Sequence, residues 1–221
     1  MLNGKSILIT GGTGTLGQAL VKHILANYKP RRLVVFSRDE IKQHEMAQQF
    51  DNECLRFFIG DIRDKDRLRR AFNDVDYVIH AAALKHVNQA EYDCTEYVKT
   101  NVCGTENVID AAIDCEVEKV LLISTDKAVN PISLYGSTKL TSEKLFVAAN
   151  NMVGKRKTRF SVVRLGNIWG SRGSVIPYYK KLVEQGEEYL PVTNRLMTRF
   201  FINSRDASRF TVDCFNMMQG G

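Results

Sequence analysis

SILITGGTGTLG, Ser6 to Gly17, is the stretch whose reading decides the fold. It opens on an apolar run of the length and composition of a buried strand. Glycines then stand at Gly11, Gly14 and Gly17, and a helical pattern continues to about residue 27. Strand, glycine turn and helix come in the order that phosphate binding requires. The early glycines permit a tight turn and close backbone approach to a pyrophosphate, and the last permits close packing of helix on strand. The helix N-terminus adds amide donors and the positive end of its dipole. Gly11, Thr13, Gly14, Thr15, Leu16 and Gly17 are therefore expected at a dinucleotide. A glycine-rich turn without a ligand is the plainer alternative.

Outward from this unit the pattern repeats. Short apolar runs at 33–37, 56–59, 77–80, 120–124 and 160–164 read as strands. Helical patterns at 39–49, 65–72, 88–115 (with a break near Asp93) and 134–150 separate them. Strands alternating with helices of this length imply an α/β fold, a doubly wound parallel sheet covered on both faces. Residues 1–165 are expected to form an NADP-binding Rossmann domain, and residues 166–221 part of a substrate-binding region.

Composition narrows the class. The 221 residues are 44% hydrophobic and 25% charged, which suits a globular domain. No stretch reaches the roughly 18 apolar residues of a membrane span. The N-terminus lacks a signal-peptide pattern, so a cytoplasmic protein is expected, with no membrane partner. Five cysteines without a CxxC pair argue against disulfides and zinc, and Cys103 and Cys115 read as small packing residues. The net charge of +6 is scattered rather than concentrated. That gives nucleic-acid binding little support and suits anionic phosphate ligands.

The second strand ends at Ser37-Arg38-Asp39. An acidic residue about 20 positions past the last glycine favours a ribose 2′-hydroxyl, and an arginine accommodates a 2′-phosphate. Arg38, with Lys42 one helical turn later, favours NADP over NAD; a solvated surface arginine is the alternative. Asp39 reads as the N-cap of the next helix, with contact to the ribose as the alternative, and Ser37, Arg38, Asp39 and Lys42 are expected at the cofactor. Asp61 and Ile62 fall where adenine is expected. Ala81, Ala82 and Ala83 are small where cofactor backbone must pass, and Lys85 follows. Asn101 and Ser124 complete the residues expected at the cofactor.

The chemistry is concentrated in LLISTDKAVNPISLYGSTK, from Leu121 to Lys139. Tyr135 and Lys139 are four apart and share a helix face. A lysine ammonium near a phenol favours the phenolate that a general base needs. Thr125, Asp126 and Lys127 add a hydroxyl, a carboxyl acid and an amine. For Asp126 and Lys127 the alternative is an exposed salt-bridging turn.

Together ITGGTGTLG, FSRDE, FFIGDIRD, HAAALKHV, STDKAVNPISLYGSTK, VVRLGNIWGSRGSV and MTRFFI resemble the extended short-chain dehydrogenase/reductase superfamily. Within it they resemble the inverting UDP-N-acetylglucosamine 4,6-dehydratases of pseudaminic acid biosynthesis. Lys127 stands where dTDP-glucose dehydratases carry glutamate, and Tyr135 where retaining UDP-sugar dehydratases commonly carry methionine. The resemblance implies oxidation of sugar C4, elimination of the 6-hydroxyl and hydride return to C6. It implies Tyr135 and Lys139 for the first step, and Lys127 as base and Asp126 as acid for the second. For UDP-N-acetylglucosamine it points to Lys85, His86, Asn167, Arg172, Ser174, Val175, Thr198 and Arg199. It implies a homo-oligomer, and enzymes that continue for roughly another hundred residues. An epimerase on the same scaffold, or a non-catalytic NADP-binding form, are the rival readings.

Overall fold

A computed structural model describes residues 2–220. Met1 and Gly221, which the two expected regions include, lie outside the described residues. The first half alternates strictly: β1 (Ser6–Thr10), α1 (Thr15–Asn27), β2 (Arg32–Ser37), α2 (Glu40–Gln49), β3 (Leu55–Ile59), α3 (Lys65–Phe72) and β4 (Tyr77–His80). Next come two short helices, α4 (Val87–Ala90) and α5 (Cys94–Tyr97), a π-helical turn (Val98–Cys103) and α6 (Gly104–Asp114). Then follow β5 (Lys119–Thr125), a 3₁₀ turn (Asp126–Ala128), α7 (Leu134–Ala149) and β6 (Arg159–Leu165).

These six strands form one parallel sheet in the order β3-β2-β1-β4-β5-β6. The order reverses between β1 and β4, and a ligand crevice opens at that switch point, beyond the C-terminal ends of the strands. Both faces are covered, so alternate residues of one strand enter different cores. Leu8, Val34, Val78 and Leu122 pack with Phe146 and Phe160 on one side. Ile7, Ile9, Val35 and Leu121 pack with Leu20, Ile24 and Phe215 on the other.

The break near Asp93 is present, between α4 and α5. Beyond it the π turn has a consequence that periodicity did not foretell. A π turn shifts the residues that follow it around the helix axis. Thr100 and Asn101 are buried, whereas Cys103 is exposed and not the packing residue expected. Cys115 is half-buried against the core.

After β6 the chain forms β7 (Asn167–Ile168), α8 (Val175–Glu184), β8 (Phe201–Ile202) and α9 (Ser204–Met217). The parallel pairing of β7 with β8 was not foreseen. Position 165 is not a break in packing, because α9 returns to the main body. Ala207, Val212 and Phe215 join Leu20, Val21 and Ile24 of α1 in one buried cluster. Among the described residues no helix is long and apolar enough to cross a membrane.

Candidate active site

One open cleft of about 1540 Å³ runs along the C-terminal ends of the strands. Its first wall is the turn after β1. Gly11 has φ +67°, and a Cβ there would stand 2.8 Å from the Ala82 backbone. A Cβ on Gly17 would stand 2.4 Å from the Gly12 carbonyl oxygen. Both positions require glycine, because backbone occupies the space a side chain would take. Gly14 caps α1 without a side-chain acceptor, and the first turn holds no acidic residue. The amides of that turn are thus open to an anion. Thr13, Gly14, Thr15, Leu16 and Gly17 line the cleft with Ala81, Ala82 and Ala83. This cradle fits a dinucleotide pyrophosphate.

At the end of β2, Ser37, Arg38, Asp39 and Lys42 line the same cleft, as do Asp61 and Ile62 after β3. Asp39 is the N-cap of α2, accepting from the Lys42 amide at 3.0 Å. The Lys42 ammonium is paired with the Asp39 carboxylate and lines the cleft beside it. Arg38 is half exposed, 3.6 Å from Asp61. Burial would raise the Asp61 carboxyl, but Arg63, bonded at 2.7 Å, holds it below the usual range.

Asn101 does not line the cleft, contrary to expectation. Its amide nitrogen donates to the Leu84 carbonyl at 3.0 Å and the Thr138 hydroxyl at 3.1 Å, and its oxygen accepts from the Leu84 amide at 2.8 Å. Both ends are occupied, so it ties the loop after β4 to α7. Below it lies a residue the sequence reading missed. His80 is fully buried between Thr10, at 2.7 Å, and Thr105, at 3.2 Å. Burial, with the Lys139 charge, pushes its pKa down to about 3, so the imidazole is neutral. The only sequence signal was a polar residue at the end of an apolar strand.

Ser124, Thr125, Lys127, Tyr135 and Lys139 line the same cleft. Lys139 is 3% exposed, and its ammonium donates to the Ile123 carbonyl at 2.9 Å. Burial lowers its pKa to about 8, against the nearby Glu143. Tyr135 departs from expectation: it is not acidified. Burial pushes the phenol up to about 12, outweighing a hydrogen bond with Thr125, while the Asp126 charge pushes the same way. In this geometry Lys139 serves the backbone of β5 rather than the phenol.

The Lys127 ammonium donates to Asp126 Oδ1 at 2.9 Å and Asn167 Oδ1 at 2.6 Å. Asp126, expected in the site, is not among the residues lining the cleft; its Oδ1 also accepts from the Thr125 hydroxyl at 3.0 Å. Asn167 was expected at the substrate; here it also positions Lys127. Lys85, His86, Ser174, Val175 and Arg199 line the cleft. Burial lowers the Lys85 ammonium, which donates to the Arg172 carbonyl at 2.8 Å. Arg172 and Thr198 do not line the cleft, contrary to expectation; both residues are exposed, and the Arg172 charge acts on Asp39 at the cleft. The Arg172 amide instead meets the Thr15 hydroxyl at 3.3 Å.

The whole chain is 56% identical to the inverting UDP-N-acetylglucosamine 4,6-dehydratase of Campylobacter jejuni serotype O:23/36, and spans 66% of that relative's length. It superposes on the X-ray structure of Pen from Bacillus thuringiensis with a TM-score of 0.96 at 41% identity, covering 100% of this chain and 68% of that one. A dTDP-glucose 4,6-dehydratase, DesIV from Streptomyces venezuelae, solved with NAD bound, superposes with a TM-score of 0.85 at 25% identity, covering 95% of this chain and 71% of that one. Residues 7–221 match the profile of the polysaccharide biosynthesis protein family. The chain belongs to that family.

Proposed function

We propose that this chain carries the cofactor- and sugar-reacting part of an NADP-dependent UDP-N-acetylglucosamine 4,6-dehydratase that inverts C5. The observation that carries this reading is the clustering of Tyr135, Thr125, Asp126 and Lys127 within one set of hydrogen bonds. An epimerase needs the phenol but not the acid–amine pair. The 56% identity to an inverting dehydratase supports the choice. The turn from Gly11 to Gly17 would hold the pyrophosphate, and Arg38 a 2′-phosphate.

Bound NADP would supply hydride acceptance at sugar C4 and hydride return at C6, with no net redox change. The chain's residues move the protons. Tyr135 accepts the proton of the 4-hydroxyl on its phenolic oxygen. A phenol near 12 still carries its own proton at neutral pH, so that proton must leave as the new one arrives. Thr125 is the exit, since it bonds Tyr135 and donates to Asp126. Asp126 thereby becomes the protonated acid that the departing 6-hydroxyl requires. Lys127, once its ammonium has released one proton to solvent, removes the C5 proton that the 4-keto group has acidified. Reprotonation of C5 from the opposite face inverts that centre. In keeping with the resemblance, a homo-oligomer in the cytoplasm is the proposed form.

The test is Lys127→Ala incubated with UDP-N-acetylglucosamine and NADP in deuterium oxide. Deuterium should no longer enter C5, while NADP still binds. Undiminished exchange removes Lys127 from the role. With the unaltered chain, a product lighter by one water supports dehydration, an unchanged mass supports epimerisation, and no reaction supports a binding-only form. Arg38→Ala should weaken NADP about tenfold or more relative to NAD, the worth of one charge-assisted bond.

A further inference from the structure

Behind Lys139, away from the cleft, is an ion pair that the chemistry above does not use. Glu143 follows Lys139 by one turn of α7, on the same face. Its side chain is 8% exposed. Arg164, near the end of β6, grips it with three contacts: Nε at 2.9 and 3.2 Å, Nη2 at 2.6 Å. The arginine is 47% exposed on its solvent side, so the carboxylate is the buried member.

A buried carboxylate is costly unless it is paired. Arg164 serves that need, with Ser124 also stabilising the carboxylate, yet the carboxylate lies one helical turn from a second buried cation, Lys139. We propose that Glu143 is a positioning residue for the reaction, the counter-charge that keeps Lys139 an ammonium, with Arg164 setting how much of that charge Lys139 receives.

Among the described residues no other negative charge acts on Lys139. His80 of β4 is neutral, Tyr135 on its own helix is a protonated phenol, and the Ile123 carbonyl of β5 accepts one of three ammonium protons. Asp126 faces Tyr135 and Lys127. Glu143 and Lys139 act on each other, the carboxylate favouring the ammonium and the ammonium favouring the carboxylate. Arg164 works against the lysine by neutralising the carboxylate. Truncating Glu143 and truncating Arg164 should therefore move Lys139 in opposite directions. Loss of packing alone would move both the same way.

This inference rests on the role in the first step that the resemblance implies for Lys139, but its test does not. Lysine nitrogens labelled at Nζ are followed by NMR as pH is raised, with Lys139→Arg identifying the signal. In Glu143→Gln the Lys139 midpoint should fall by about one pH unit. In Arg164→Gln it should rise, and in Glu143→Asp it should stay near its original value. A Lys139 midpoint unmoved in Glu143→Gln overturns the proposal, as does a shift of the same sign in both variants. Should Glu143→Gln fail to fold, a fall or no change in Arg164→Gln overturns it alone. In turnover assays the alkaline limb of kcat should move with the midpoint. If the midpoints move but no turnover is seen in any variant, the dehydratase reading fails and the electrostatic one stands.

Discussion

The two walls of the cleft are built differently. The inner wall, at the strand ends, is set in the core. His80 and Lys139 are nearly inaccessible, and the polar atoms of both have named partners. The outer wall, from Asn167 to Phe201, is the reverse. Helix α8 has no buried residue, every residue from 183 to 200 is exposed, and the two ends of the segment are paired to each other by a two-residue sheet separate from the main one. Close packing holds catalytic groups in one rotamer, whereas exposed segments open at low free-energy cost. The inner wall is therefore suited to chemistry, and the outer wall to admitting a ligand.

Altering the phenol is the most severe challenge to this contrast. Tyr135→Phe should lower turnover by roughly 10²–10⁴-fold, the range for a positioned acid–base group, with an unchanged circular dichroism spectrum. Retained turnover would put the chemistry elsewhere in the cleft. The acid limb of stability comes next. The folded His80 titrates near 3 and an unfolded histidine near about 6.5. Above the unfolded value both states are neutral and its contribution is complete; below it the unfolded chain takes a proton that the fold refuses. Stability should therefore fall by several kcal/mol from pH 6.5 toward 3. In His80→Gln that part of the slope should vanish, as measured by denaturant midpoints at each pH.

Smaller still is the effect of filling the glycine turn. Gly17→Val should cost about 1–3 kcal/mol by overpacking against Gly12, and should abolish NADP binding in a fluorescence titration. The smallest effect belongs to the outer wall. Val183→Lys, on an exposed face of α8, should shift stability by less than about 0.5 kcal/mol. A larger loss would mean that the outer wall is buried in solution, and the contrast would fail.

Much of the inner wall was legible in the residues. Periodicity placed α3 and β4 at their observed bounds, and the other sheet strands to within a residue at each end. The reason is that strands buried on both faces must be apolar throughout, and their limits are marked by glycine, aspartate or proline. The glycine spacing likewise located the turn, because only glycine tolerates the backbone approach at Gly11 and Gly17. The outer wall was harder to read. A two-residue strand such as β7 has no period, and Arg172 and Thr198 lie in loops whose facing depends on long-range contacts.

What the amino-acid order determined by itself is the sheet, its winding and the residue types at the strand ends, since local periodicity and backbone sterics act within a few residues. What only the folded molecule decided is how those residues behave. The π turn exposed Cys103 and buried Asn101, and burial raised the Tyr135 phenol to about 12 where its neighbour's charge had suggested a fall. Desolvation is a property of the whole surrounding volume, and no spacing between two residues carries it.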